Sequence, residues 1–229
     1  MISIVDYGMG NLRSVQKAFE FLGEDAELVT DPERVRRADR LVLPGVGAIG
    51  DAVENLTANG MDRALREYLP LGRPFLGICL GMQMLFDESE EDFADCAGTV
   101  AGSPAGTGGA TGTVAGLGIL RGRVRRLPGG PGLKVPHMGW NTLSETRGLL
   151  FADAAGASSE RQGSYVYFVH SYYVDAADRS IVTARATHGI DFDAAVGRDN
   201  LQAVQFHPEK SGTEGLAMLR RWLSAGGRS

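Results

Sequence analysis

The 229-residue sequence predicts an α/β fold, a mostly parallel open sheet covered by helices, with antiparallel strands added in the C-terminal half. Three observations predict it. The first hundred residues alternate short apolar runs with amphipathic stretches, the order that builds a parallel sheet through helical crossovers. The second half is a series of β-rich segments separated by turn residues, which suits antiparallel pairing. A hydrophobic content of 43% suffices for one full core, and no break in composition divides the chain, so a single domain spanning 1–229 is expected.

The first strand is Ile2 to Asp6, after which Leu12, Val15, Phe19 and Leu22 recur at helical spacing until Gly23 supplies a stop. A second strand is expected at Glu27 to Thr30 and a third at Arg40 to Leu43. One helix carrying Val53, Leu56, Leu65 and Leu69 then leads to the apolar run Pro74-Phe75-Leu76 before Cys79. Later strands are expected within Lys134 to Asn141, Tyr165 to Val174, Ile181 to Thr187, Phe192 to Val196 and Leu201 to Phe206. The capping-box pattern Ser211-Gly212-Thr213-Glu214 precedes a last amphipathic helix through Leu216, Leu219, Trp222 and Leu223. Between these elements, about 94–118 is almost entirely Gly, Ala, Thr and Ser. It is too poor in large apolar groups to offset its ordering entropy, and a flexible insertion is expected there. Ala152 to Gly163 is a shorter insertion of the same kind.

A formal charge of -5 leaves no basic field for a phosphate backbone, and the arginines between Arg121 and Arg126 are few and local, so nucleic-acid binding is not expected. Met1 to Asp6 lacks a charged leader region and a cleavage site. No apolar run approaches the roughly 18 residues of a membrane span, which places the protein in the cytoplasm. Cytosolic thiols stay reduced, so Cys79 and Cys96 are not expected to pair.

Three distant segments fit one chemistry: Gly77-Ile78-Cys79-Leu80-Gly81, His207-Pro208-Glu209 and Pro44-Gly45-Val46-Gly47. A thiol between glycines, straight after an apolar run, reads as a sharp strand-to-helix turn that lifts the side chain out of the sheet. A free thiol titrates near about 8.5, so the site must stabilise thiolate. The N-terminus of a helix expected over Leu80 to Phe86 favours an anion, and His207 supplies an imidazolium or takes the proton. Residues two apart on a strand share a face, so Glu209 is expected beside His207, with Pro208 marking the strand's end. The Leu80 amide and a peptide N–H of Gly45-Val46-Gly47 are candidate oxyanion donors, and the glycines beside Val46 would let that peptide rotate. Gln83, one turn beyond Cys79, suits a small polar substrate. Taken singly, Cys79 reads equally as a small core residue, Pro44 to Gly47 as a plain strand-to-helix turn, and Gln83 as a solvated helix residue. Their joint placement at the carboxyl ends of strands, where open α/β sheets bind ligands, favours a site. His137, His170 and His188 show no ligand spacing, so neither metal nor cofactor is expected.

These segments, with Asp6 to Val15, Val135 to Asn141, Tyr167 to Tyr173 and Gln205 to Ser211, run through the whole chain. On them the sequence resembles the class I, triad-type glutamine amidotransferases, and within that family the glutaminase subunits of imidazole glycerol phosphate synthases of histidine biosynthesis. The resemblance implies a flavodoxin-like three-layer fold and a Cys79-His207-Glu209 triad. It implies an oxyanion hole at Val46, Gly47 and Leu80, and a glutamine pocket of Gly45, Gly47, Gln83, Val169, His170, Ser171 and Tyr172. It further implies a heterodimer in which ammonia passes to a (β/α)8-barrel cyclase subunit faced by Asn11, Trp140, Asn141, Tyr167 and Lys210. Other readings stay open at this point: the glutaminase subunit of another pathway, such as vitamin B6 or anthranilate synthesis, a cysteine hydrolase or peptidase, and a catalytically silent scaffold.

Overall fold

In a computed structural model, which describes residues 1–91, 112–152 and 164–225, the apolar runs of the first hundred residues become parallel strands joined by helices. In chain order these are β1 (Ile2–Val5), α1 (Leu12–Phe21), β2 (Ala26–Val29), α2 (Pro32–Arg37), β3 (Arg40–Gly45), α3 (Ile49–Ala58), α4 (Met61–Tyr68), β4 (Phe75–Cys79) and α5 (Leu80–Gln83). The short strands β5 (Glu88–Ser89) and β6 (Val114–Ala115) follow, then β7 (Gly122–Arg126), β8 (His137–Thr142), β9 (Tyr165–His170), β10 (Tyr172–Ala176), β11 (Val182–Thr187), β12 (Asp191–Arg198) and β13 (Leu201–Val204). Helix α6 (Gly212–Ser224) closes the described chain.

The main sheet has the order β2-β1-β3-β4-β13-β12-β10-β7-β5-β6, with β11 on β12. β2, β1, β3, β4 and β13 are mutually parallel, and β12 turns the sheet antiparallel. Alternation along β3 sends Leu41 and Leu43 into the core beneath α2, α3 and α4, and Val42 into the core beneath α1 and α6. Trp222 of α6 is fully buried, packs on Phe19 of α1, and donates its indole N–H to the Phe75 carbonyl at 3.3 Å. Among the described residues no helix is long and apolar enough to cross a membrane.

Several elements differ from the sequence expectation, each for a local reason. Helix α2 was not expected, although Asp31-Pro32 marks its start: the Asp31 carboxylate accepts the Glu33 N–H at 2.9 Å and Pro32 occupies the first turn. The single helix expected from Val53 to Leu69 is two, because Gly60 takes a left-handed conformation (φ 69°) between α3 and α4. Helix α5 stops at Gln83 instead of reaching Phe86. The carbonyls of Met84, Leu85 and Phe86 accept N–H groups from Leu117 to Leu120 in place of the next helical turn. That contact, with β5–β6 pairing, makes residues 112–118 of the expected insertion part of the fold, while 94–111 lies outside the described residues. The 152–163 insertion lies outside them too, apart from Ala152, as does Cys96. Strands β8 and β9 form their own antiparallel hairpin and do not extend the main sheet.

Candidate active site

The register of three adjacent parallel strands assembles the site. Gly45 of β3 lies opposite Cys79 of β4, and Val204 of β13 lies opposite Ile78, so all three strands deliver their carboxyl ends to one rim. The residues that follow are Val46-Gly47, Leu80 and Gln205-Phe206-His207. Cys79 adopts φ 55° and ψ -109°, a conformation rare for any residue but glycine and suited to a sharp strand-to-helix turn. The neighbouring glycines supply clearance. A Cβ on Gly81 would sit 1.8 Å from the Leu43 carbonyl oxygen, and one on Gly45 would sit 2.6 Å from the Tyr7 hydroxyl and 2.9 Å from Leu80 Cβ. Tyr7 donates its hydroxyl to the Pro44 carbonyl at 3.1 Å, and burial together with the nearby Cys79 pushes its pKa up.

His207 follows β13 in an extended conformation, and a 3₁₀ turn over Pro208–Lys210 brings Glu209 back beneath it. The strand alternation expected for this pair is therefore replaced by a turn. Oε1 of Glu209 lies 2.8 Å from Nδ1 of His207, and both side chains are almost wholly buried. Nε2 of His207 is buried with no hydrogen-bond partner of ordinary geometry among the described residues. Burial alone would lower the His207 pKa; hydrogen bonding and charge from Cys79 and Glu209 outweigh it and raise it to about 10. The sulfur thus acts on the ring without meeting ordinary hydrogen-bond geometry, and the arrangement favours the imidazolium form of His207.

The backbone of His207 is tied to β9. Its N–H donates to the Tyr167 carbonyl at 2.9 Å. Ser211 Oγ donates to the His207 carbonyl at 2.6 Å and accepts the Tyr167 N–H at 3.0 Å. Ser211 consequently makes no side-chain cap on α6, contrary to the capping-box expectation.

Around the thiol, Val169 presents its carbonyl 4.0 Å from Sγ, and Gln205 directs Nε2 at Sγ from 3.6 Å. Gln83 is buried, with Nε2 donating to Gln205 Oε1 and to the Tyr172 carbonyl, each at 2.9 Å. The side chain of His170 is engaged at both ring nitrogens: Nδ1 meets the Tyr172 carbonyl at 2.9 Å and Nε2 meets Nδ1 of His137 at 3.0 Å. His137 in turn meets the Asn141 amide at 3.2 Å and stacks on His188 and Phe168. Burial first, and His188 second, lower the His137 pKa to about 4, and burial foremost lowers that of His170 to about 3. Val46 and Gly47 lie exposed at the rim, Leu80 is buried at the start of α5, and the Ser171 carbonyl accepts the Leu127 N–H at 2.9 Å between β9 and β10.

The residues expected to face a partner divide into two groups. Trp140 is more than half exposed on the β8–β9 hairpin and edge-on to Tyr167 at 6.1 Å, and Lys210 is exposed nearby in sequence to His207; Met138 and Tyr165, which were not among the expected residues, are also more than half exposed on that hairpin. Asn141 instead turns its amide inward to His137 and the Thr187 carbonyl, and Asn11 accepts the Ser14 hydroxyl at 2.9 Å ahead of α1. Sequence reasoning missed Gln205 and the tether made by Ser211. Gln205 carried no separate signal, because it fell inside the strand expected within Leu201 to Phe206; the structure ends β13 at Val204.

The family model for class-I glutamine amidotransferases matches residues 3–225. Among curated proteins, the chain is 48% identical to an imidazole glycerol phosphate synthase subunit HisH of Syntrophotalea carbinolica, over 97% of this chain and 98% of that one. It is 43% identical to the HisH subunit of Rhodopirellula baltica, over 98% of both chains. For Bacillus subtilis HisH the identity is 42%, over 97% of this chain and 95% of the relative. Among solved structures, a glutamine amidotransferase matches over the full length of both chains with a TM-score of 0.69 at 20% identity. The PurLQS structure from Thermotoga maritima matches at 0.68 and 16%, covering 97% of both. These two likenesses concern the fold.

Proposed function

The chain belongs to the class-I glutamine amidotransferases, among relatives that are HisH subunits of imidazole glycerol phosphate synthase, and from that premise we propose that it is the glutaminase of such a synthase. Acting as one domain in the cytoplasm, it hydrolyses glutamine to glutamate and ammonia and passes the ammonia to a cyclase subunit, a (β/α)8 barrel, for synthesis of imidazole glycerol phosphate and AICAR.

The observation that carries this reading is the buried His207–Glu209 pair beside Cys79 at the rim shared by β3, β4 and β13. The Cys79 thiolate attacks the side-chain amide carbon of glutamine, and the carbonyl electron pair moves onto oxygen, received by the amides of Leu80 and of the Gly45-Val46-Gly47 turn. The His207 imidazolium protonates the nitrogen as the C–N bond breaks, releasing ammonia and leaving a thioester. Neutral His207 then takes a proton from water, hydroxide adds to the thioester, and glutamate leaves as the thiolate re-forms. Glu209, fixed on Nδ1, holds the ring orientation in both halves.

Gly45, Gln83, Val169, Ser171 and Tyr172 bound the space for the glutamine, Gln83 offering its amide oxygen because its nitrogen is engaged. His170 contributes by backbone only, since both ring nitrogens are committed to Tyr172 and His137. The exposed Trp140 and Lys210, with Tyr167, form the side offered to the cyclase, while Asn141 and Asn11 border it with their side chains engaged by His137 and Thr187 and by Ser14. The apolar patch of Met138, Trp140 and Tyr165 supports docking there, since a large exposed apolar face marks an interaction surface.

The test is synthesis by the complex with a histidine-pathway cyclase. Cys79→Ala is expected to abolish product formation from glutamine and to spare formation from added ammonium. Glutamine hydrolysis surviving in that variant, or failure of the chain to pair with the cyclase, would overturn the reading.

A further inference from the structure

The thiol has a third polar neighbour besides His207 and the strand-end backbone, and its orientation is fixed without reference to the thiol. The Tyr172 carbonyl is a group that only accepts hydrogen bonds. It lies 2.9 Å from the Gln83 amide, so the end of that amide facing it is the nitrogen. The same carbonyl takes Nδ1 of His170 at 2.9 Å, which makes Nδ1 the protonated nitrogen of that ring and locks the carbonyl between two donors. With Nε2 of Gln83 so placed, its second proton points to Gln205 at 2.9 Å, and the Gln205 end that receives it is the oxygen. The remaining end of Gln205 is its NH2 group, 3.6 Å from Cys79 Sγ. Gln205 is fully buried, and the amide has no freedom to turn its oxygen to the sulfur without breaking the Gln83 bond and setting two like dipoles together.

We propose that Gln205 is a thiolate-stabilising residue of this site, donating from Nε2 to the Cys79 sulfur, and that Gln83 is the positioning residue that holds it in that sense. This rests on Cys79 being the nucleophile. An uncharged donor at the sulfur stabilises the anion before substrate arrives and after the thioester is cleaved. It does so without competing with His207 for the proton. Among the described residues the charged and titratable groups facing the sulfur are His207, with Glu209 on its far nitrogen, and Tyr7, so the donor acts on a thiol already facing an imidazolium.

The experiment is the pH dependence of iodoacetamide alkylation of the full chain, followed by mass at the Cys79 peptide, for the unmutated protein, Gln205→Met and Gln205→Glu. Methionine keeps the length and removes the donor, and its alkylation profile is expected to move to higher pH by about one unit, the effect of losing one hydrogen bond to a charged group. Glutamate places an acceptor and a charge at the sulfur, and its profile is expected to move further in the same direction. A residue with only a packing role would lower the melting temperature and leave the profile in place, and that result would overturn the proposal.

For a readout independent of how the variants fold, the side-chain amide protons of Gln205 in the unmutated chain are expected to shift with the same pH midpoint as the alkylation. Resonances that do not respond would equally overturn it. An unmutated Cys79 that resists alkylation at all pH values would instead count against the nucleophile assignment itself, so the two failures are distinct.

Discussion

Ser211 holds His207 by its main chain: the serine hydroxyl donates to the His207 carbonyl at 2.6 Å while accepting the Tyr167 N–H at 3.0 Å. One hydroxyl therefore couples the imidazole-bearing segment to β9, the strand whose end carries Val169 and His170. Ser211→Ala would leave a buried N–H and a buried carbonyl without this partner, and a loss of about 1–3 kcal/mol in unfolding free energy is expected. Chemical denaturation measures it. A fall in kcat larger than any change in KM should accompany it, because the ring and not the pocket is loosened.

Gly81 faces the Leu43 carbonyl so closely that a single methyl group cannot be placed. Gly81→Ala is expected to destabilise the fold by about 2–4 kcal/mol, since the obstruction is backbone of a central strand and not a side chain that can turn away. Gly129, where a Cβ meets nothing within 4 Å, is the control, and Gly129→Ala should leave the denaturation midpoint nearly unchanged.

The histidines predict how stability varies with pH, and the two sets act in opposite directions. His137 and His170 have pKa values lowered to about 4 and about 3 from an ordinary 6.5, so their contribution is present above pH 6.5 and is lost as pH falls through the lowered values. His207 is raised to about 10, so its contribution is complete below pH 6.5 and is lost as pH rises through that value. Melting temperature measured from pH 4 to pH 10 should fall on both sides of a maximum near pH 6.5. His137→Gln should flatten the acid side, and His207→Gln the alkaline side.

Glu209→Gln keeps the shape of the pair and removes its charge. The imidazolium then loses the carboxylate that favours it, and the ring loses its fixed tautomer. A fall of about 10²- to 10⁴-fold in kcat for glutamine hydrolysis by the complex is expected, with little change in KM. Steady-state kinetics with the cyclase present provide the check.

Much of this was legible in the sequence because it was written in local signals. Gly77 and Gly81 around Cys79 announced a strained turn, and the order of apolar runs announced parallel strands whose carboxyl ends meet. What the sequence did not carry was the part decided by neighbours distant along the chain. The helix after Cys79 ends at Gln83 because residues 117–120 supply N–H groups to its would-be next turn, and no periodicity records that competition. Ser211 has the spacing of a helix cap, but a carbonyl four residues back and a strand N–H outcompete the helix for its hydroxyl. Gln205 reads as one more residue of a strand until the β4–β13 register sets it beside the sulfur. The left-handed Gly60 that divides α3 from α4 had a signal in Asn59-Gly60, a pair that favours turns, which the surrounding helical periodicity outweighed.

The most direct measurement is covalent trapping: incubation of the chain, mixed with the proposed cyclase, with a glutamine-analogue electrophile, followed by mass mapping of the adduct. A single adduct on Cys79, formed far more slowly in His207→Asn, is the predicted result. An adduct on another residue, or none at Cys79 while glutamine is still being hydrolysed, would contradict the account.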